Sequence, residues 1–164
     1  MPPYAEPLVP SQSDDIPFPA APLYHRLMPQ LVIFYHSRTG GTAAMAQAAF
    51  QGAREEAGVE VRLVTAQDAT ADDLIAADGA IFACPENLAA MSGEMKAFFD
   101  RAYYPALGRI EGRPCALMVC AGSDGEGAVR QMARIVTGWR MKTVADPVII
   151  CTHAQTPEAI LAEK

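Results

Sequence analysis

Between an apolar run and an alanine-rich one the chain reads Ser37-Arg38-Thr39-Gly40-Gly41-Thr42, three hydroxyls and two glycines in six residues. Residues of these types at this spacing do anion chemistry. Where a strand feeds directly into a helix, main-chain N–H groups and hydroxyls converge on one point, and the helix dipole favours negative charge there. The glycines let the backbone come close to the anion. The turn lacks the lysine and length of GxxxxGK[ST], and Gly40-Gly41 does not supply GxGxxG. What remains, S-x-T-G-x-T, suits a phosphate monoester held by hydroxyls and amides without a salt bridge. A ligand-free turn needs only one glycine and one cap.

Other reactive side chains carry less. Cys84 follows an apolar run at a loop mouth, but a phosphatase loop needs arginine six positions on, where Ala90 stands. Cys84, Cys115, Cys120 and Cys151 fall in or at the ends of strand-like runs and read as reduced core thiols, not a disulfide framework or a metal cluster. His36 and His153 sit at strand ends and read as structural or surface histidines before ligand contacts. No catalytic nucleophile, acid–base pair or metal site is expected.

The elements that must position the turn alternate strand and helix. Leu31–Tyr35 is the first strand and Thr42–Ala57 the first helix, ended by Gly58. Val59–Leu63 alternates like an edge strand, and Thr70–Ala77 is a short helix capped by Thr70. Ala80–Cys84 and Cys115–Cys120 read as fully buried strands. Ser92 caps a helix with Met95, Phe98, Phe99 and Ala102 inward, and a fourth helix turns Val129, Met132, Val136 and Trp139 inward. Val144–Cys151, interrupted by Pro147, is a fifth strand at an edge, and Pro157–Lys164 starts a fifth helix. Tyr103 and Tyr104 end the third helix, far from the turn. The pattern predicts an α/β fold of three layers with a five-stranded parallel sheet of order 2-1-3-4-5. Loops 36–42, 84–93 and 121–127 then meet at the carboxyl ends of the strands.

Residues 1–30 hold eight of the thirteen prolines and no helical or strand period, so they read as an extended arm ahead of a domain at 31–164. The formal net charge of −6 and the lack of a basic run argue against nucleic acid. Neither a signal peptide nor a membrane-length apolar run is evident, which with the thiols points to the cytoplasm.

Ser37–Ala46, SRTGGTAAMA, resembles the phosphate loop of the flavodoxin-like superfamily. Pro85–Arg101, PENLAAMSGEMKAFFDR, is similar to the matching segment of the tryptophan-repressor-binding-protein type of NAD(P)H:quinone oxidoreductase. The resemblance runs over about residues 31–153 and implies a non-covalent flavin mononucleotide (FMN). By it, Ser37, Arg38, Thr39, Gly40, Gly41 and Thr42 would hold phosphate. Pro85, Glu86, Asn87, Leu88, Met91 and Ser92 would line the isoalloxazine. Ala121, Gly122, Ser123, Asp124 and Gly125 would close its other side, with backbone donors near Glu86–Leu88 and Ser123–Gly125 on the ring's edge. NAD(P)H as co-substrate, a quinone or similar small-molecule electron acceptor, and a homo-oligomer are implied as well.

The sequence departs from the pattern at Leu88, where an aromatic is usual, at Asn87, where a basic residue is frequent, and at Ala89-Ala90 in place of Gly-Asn. The loop AGSDGEG has no histidine or aromatic. The ring would be stacked less than in an electron-transfer flavodoxin, leaving a face open to a nicotinamide or substrate. A reductase is the first reading; a flavodoxin-type electron shuttle and a cofactor-free protein-binding scaffold are the alternatives.

Overall fold

A computed structural model describes residues 28–152. All but the last three residues of the proline-rich arm, together with His153 and the helix expected at Pro157–Lys164, lie outside the described residues. The elements run β1 (Gln30–Tyr35), α1 (Gly41–Arg54), β2 (Glu60–Thr65), α2 (Ala71–Ala76), β3 (Gly79–Asn87), β4 (Ala90–Met91), α3 (Gly93–Ala106), β5 (Pro114–Ala121), α4 (Glu126–Gly138), β6 (Lys142–Thr143) and β7 (Val148–Cys151).

The sheet follows β2-β1-β3-β5-β6, with β7 also on β5 and β4 antiparallel to the end of β3. β6 pairs with the start of β5 and β7 with its end, both parallel. They share one position at the sheet's edge, the fifth in the expected order. The single strand expected at Val144–Cys151 is therefore broken, and Pro147, which cannot donate to a ladder, lies in the break. Two further corrections are local. α1 stops at Arg54, before Gly58 turns the chain at φ 84°, and β3 overruns Cys84 by three residues to form a hairpin with β4.

The pleat sends alternate side chains to two layers. On one face Val32, Phe34 and Phe82 meet Phe98 and Phe99 of α3 and Trp139, which is fully buried after α4. Phe34 stacks on Phe98 at 4.8 Å, and Phe99 meets Trp139 edge-on at 5.4 Å. On the other face Ile33 and Ala83 pack beneath Ala46 of α1. Tyr103 stacks on Trp139 at the far end of α3, as its place in the sequence predicts, whereas Tyr104 is exposed.

α2 is short, and its ends are tied down by side chains. Thr70 Oγ1 accepts from the Asp73 N–H at 3.2 Å, and Asp73 accepts from the Thr70 N–H at 3.0 Å, a closed capping box. Arg62 of β2 donates to Asp73 at 2.8 Å. Burial alone would raise the Asp73 carboxyl, but the Thr70 and Arg62 hydrogen bonds outweigh it and hold the group below its usual range. A depressed native pKa stabilises the fold above the unfolded value, and that contribution is lost as pH falls through the folded one. Asp73→Asn should cost about 1 kcal/mol at neutral pH. Urea unfolding of the two proteins should converge as pH falls below the ordinary carboxylate range.

Candidate functional site

Loops following β1, β3 and β5 surround a cleft of about 450 Å³, within the range of small-molecule sites. The first loop lines it with Ser37, Arg38, Thr39 and Thr42, and the second with Pro85, Glu86, Asn87 and Leu88. The third contributes Ala121 and Gly122, with Cys120 before them and Thr152 beyond β7 completing the wall.

The first loop is shaped by Gly40, whose φ of 96° is left-handed and natural only to glycine. Ser37 Oγ accepts the Gly40 N–H at 3.1 Å and closes the turn. Gly40 is also the N-cap of α1 and supplies no side-chain acceptor to the helix. Thr42, in the first turn of α1, is 1 % exposed, and its Oγ1 has no hydrogen-bond partner. A buried hydroxyl left so costs about 1–3 kcal/mol, which a ligand acceptor in the cleft would relieve. Arg38 is the cation of the lining, and it is exposed.

The second loop is a hairpin. Asn87 pairs with Ala90, so Leu88 and Ala89 are the two turn residues, with φ of 52° and 59°. Positive φ at both positions is the type I′ pattern that Asn-Gly usually fills. Here two ordinary side chains occupy it, and Leu88 is fully exposed at the cleft mouth. The hairpin lies on α4. Glu86 accepts the Gly125 N–H at 3.2 Å and the Ala128 N–H at 3.1 Å. The Met91 N–H donates to Gln131 at 3.1 Å. At Gly127 a Cβ would sit 2.0 Å from the Ala89 carbonyl oxygen, so only hydrogen fits.

This docking revises the sequence reading. Gly125 lies outside the cleft lining, because its N–H is committed to Glu86 and so is not a donor to a ring edge. Asp124 turns its carboxylate to the Glu126 N–H at 2.9 Å, and Ser123 is exposed outside the cleft. Met91 is buried, and Ser92, fully buried, accepts from the Met95 N–H as the cap of α3. Gly41 is buried at the start of α1, and Gly40 faces a neighbouring cavity. Cys120 and Thr152 were not anticipated as lining. Cys120 ends a buried strand, a position visible in the sequence; Thr152 reaches the cleft through the N–H it donates to the Ala121 carbonyl at 2.9 Å.

Burial, with the Glu86 charge adding to it, pushes the Cys84 thiol up to about 11 against the hydrogen bonds from Ser92, which disfavours the thiolate a nucleophile needs. No group of three or more metal-binding side chains occurs among the described residues, and no helix there is long and apolar enough to cross a membrane. His36 is buried with Nε2 3.4 Å from Glu94 at the start of α3.

A sequence model of the NADPH-dependent FMN reductases matches residues 65–156, and the chain belongs to that family. The match takes in the second and third loops and not the first. A flavodoxin of Aquifex aeolicus is 36 % identical over 107 residues, 65 % of this chain and 58 % of that protein. An NAD(P)H dehydrogenase (quinone) of Acidithiobacillus ferrooxidans is 34 % identical, over 45 % of this chain and 47 % of its own length. The chain thus spans about half the length of the curated relatives it matches. Among solved structures, oxidised flavodoxin 1 of Bacillus cereus superposes with a TM-score of 0.67 at 20 % identity, over 82 % of this chain and 91 % of that one. A WrbA-like flavodoxin of Agrobacterium tumefaciens gives 0.60 at 18 %, over 82 % and 90 %. These likenesses show the flavodoxin-like fold.

Two substitutions test the docking. Glu86→Gln keeps the shape but one acceptor oxygen, and should cost about 1–3 kcal/mol. Gly127→Ala must push the hairpin away and should cost about 2 kcal/mol or more. In both, amide hydrogen exchange should speed up at residues 121–128 and 86–91 together, while α1 keeps its protection.

Proposed function

We propose that the turn 37–42 binds the phosphate of FMN, that the second and third loops hold its ring, and that the protein reduces a quinone or similar small acceptor with NAD(P)H. The observation that carries the reading is Thr42 Oγ1, buried and unpartnered in the first turn of a helix whose cap brings no acceptor. A phosphate oxygen there would take the Thr42 hydroxyl hydrogen, and Ser37 and Thr39 would offer two more. FMN, when bound, supplies the hydride chemistry between nicotinamide and acceptor. The chain's share is placement. The hairpin and the 121–125 loop fix the width of the slot through Glu86, and Cys120 and Ala121 form an apolar wall that keeps water from one side.

The family match and the quinone dehydrogenase relative support a reductase. Among the described residues the lining contains no phenylalanine, tyrosine or tryptophan, which supports a ring with a face open to a second substrate. The flavodoxin relative favours a second reading, a one-electron shuttle. NAD(P)H oxidation on adding a quinone is the expected result; a stable semiquinone on titration without such turnover would select the shuttle.

The phosphate contact has its own test. Thr42→Val removes one hydrogen bond to a charged group, worth about 1.5–3 kcal/mol. FMN affinity, read by flavin fluorescence, should fall about 10- to 150-fold. Riboflavin, which lacks the phosphate, should bind both proteins alike. Equal FMN affinity in parent and variant would remove the turn from the site.

A further inference from the structure

The sheet is covered unevenly. On the side of α3 and α4 its central strands are sealed: Phe82, Leu117 and Val119 are at most 1 % exposed. On the other side α1 packs over Ile33 and Ala83, and the cover thins toward β5 and β7. There Ile81 of β3 and Ala116 and Met118 of β5 are half-buried, and Val148 and Ile150 of β7 are 47 % and 45 % exposed. The pleat puts these five on one face, and the register sets Ala116 beside Ile81 and Met118 beside Val148. Cys120, beside Ile150, continues the strip into the lining of the cleft. Parallel strands are ordinarily buried on both faces, so this strip calls for a covering element.

We propose that residues 16–24 of the proline-rich arm, Ile-Pro-Phe-Pro-Ala-Ala-Pro-Leu-Tyr, lie along this strip as an extended polyproline-type segment antiparallel to β5. The arm's point of entry is fixed, because the Pro29 carbonyl accepts the Glu60 N–H at 2.9 Å at the amino ends of β1 and β2. From β1 to β5 is two strand spacings, about 10 Å, and the four residues 25–28 reach about 13 Å when extended. Nine residues of polyproline helix then run about 28 Å, against about 26 Å for the eight residues of β5. The composition fits an apolar floor: 16–24 carries no charge, and its three prolines bring no N–H to be left unpaired. Three residues per turn set Phe18, Ala21 and Tyr24 along one edge, the edge that meets Met118 and its neighbours. The eight residues 157–164, wound as a helix, would span about 12 Å and cover less than half of β5. Docked in this way, the arm brings Asp14 and Asp15 to the carboxyl end of β5, where Cys120 borders the cleft.

Methionine oxidation by hydrogen peroxide, followed residue by residue by peptide mass spectrometry on the full chain, tests the docking. Met118 is the reporter, and fully buried Met132 reports the integrity of the core. Losing two buried aromatic side chains shifts a docking equilibrium strongly, so Met118 should oxidise at least about tenfold faster in Phe18→Asp/Tyr24→Asp while Met132 stays slow. An unchanged Met118 rate overturns the proposal. Protection of Met118 that is lost on dilution also overturns it, by placing a second copy on the strip. Protection lost in Ile160→Asp/Leu161→Asp does the same, by placing residues 157–164 there. Protection that survives both and yields to the arm variant alone sustains it. Should Met132 speed up as well, Phe18→Ala/Tyr24→Ala makes the milder cut: Met118 alone faster supports the docking, and both rising together overturns it.

Discussion

The carboxylate of Glu86 at the amino end of α4 holds the site together. α4 begins at a glycine cap that offers nothing to the first amides of the helix, and the carboxylate arrives from another loop to accept two of them. Its negative charge lies where the helix dipole is positive, so burial beside the cleft costs it less. Hydrogen bonds of this charged kind are worth about 1.5–3 kcal/mol each. The contact also has a steric condition. The hairpin approaches α4 so closely that the Ala89 carbonyl takes the space of a side chain at Gly127. With Met91 bonded to Gln131 as well, the loops after β3 and β5 are one body, and the distance between them is fixed before any ligand arrives.

α1 supplies the contrast. Its amino end also starts from a left-handed glycine cap without a side-chain acceptor, and among the described residues no carboxylate bonds to it. The nearest hydroxyl in its first turn, Thr42 Oγ1, is buried and unsatisfied. Of two similar helix starts at the same end of the sheet, one is closed by the protein's own anion and the other stays available to a foreign one. That difference, more than the density of hydroxyls, favours the first loop as the place for the proposed phosphate.

Much of this was readable in the sequence because periodicity survives wherever a residue faces a layer. Leu31–Tyr35 and Cys115–Cys120 are strands because they are buried on both faces, and Phe98 and Phe99 fall at helical spacing where the core receives them. The hairpin was not readable. Its turn is Leu88-Ala89, with neither the asparagine nor the glycine that announces positive φ, and its conformation is imposed by docking on α4. Gly125 and Met91, which the resemblance implied at the ring, lie off the cleft lining, their amides spent on Glu86 and Gln131. Thr152 carried no signal, because it joins the cleft only through the register of β7 on β5.

The strained turn bears on what the cleft can recognise. Two non-glycine residues at positive φ cost about 1–2 kcal/mol each, and such strain persists only where the surroundings over-determine it. Here it places the Leu88 side chain wholly in solvent at the mouth of the cleft, where it gains no hydrophobic stabilisation. An asparagine–glycine pair would relieve the strain and would also remove the Leu88 side chain from the opening. Among the described residues the lining has no aromatic ring, so on the proposed reading a planar ligand would meet the edges that the loops present and the side chains of Pro85 and Leu88. On the proposed reading, contacts of that kind would orient a ring by its edges and leave a face for a second small molecule, as a reductase needs.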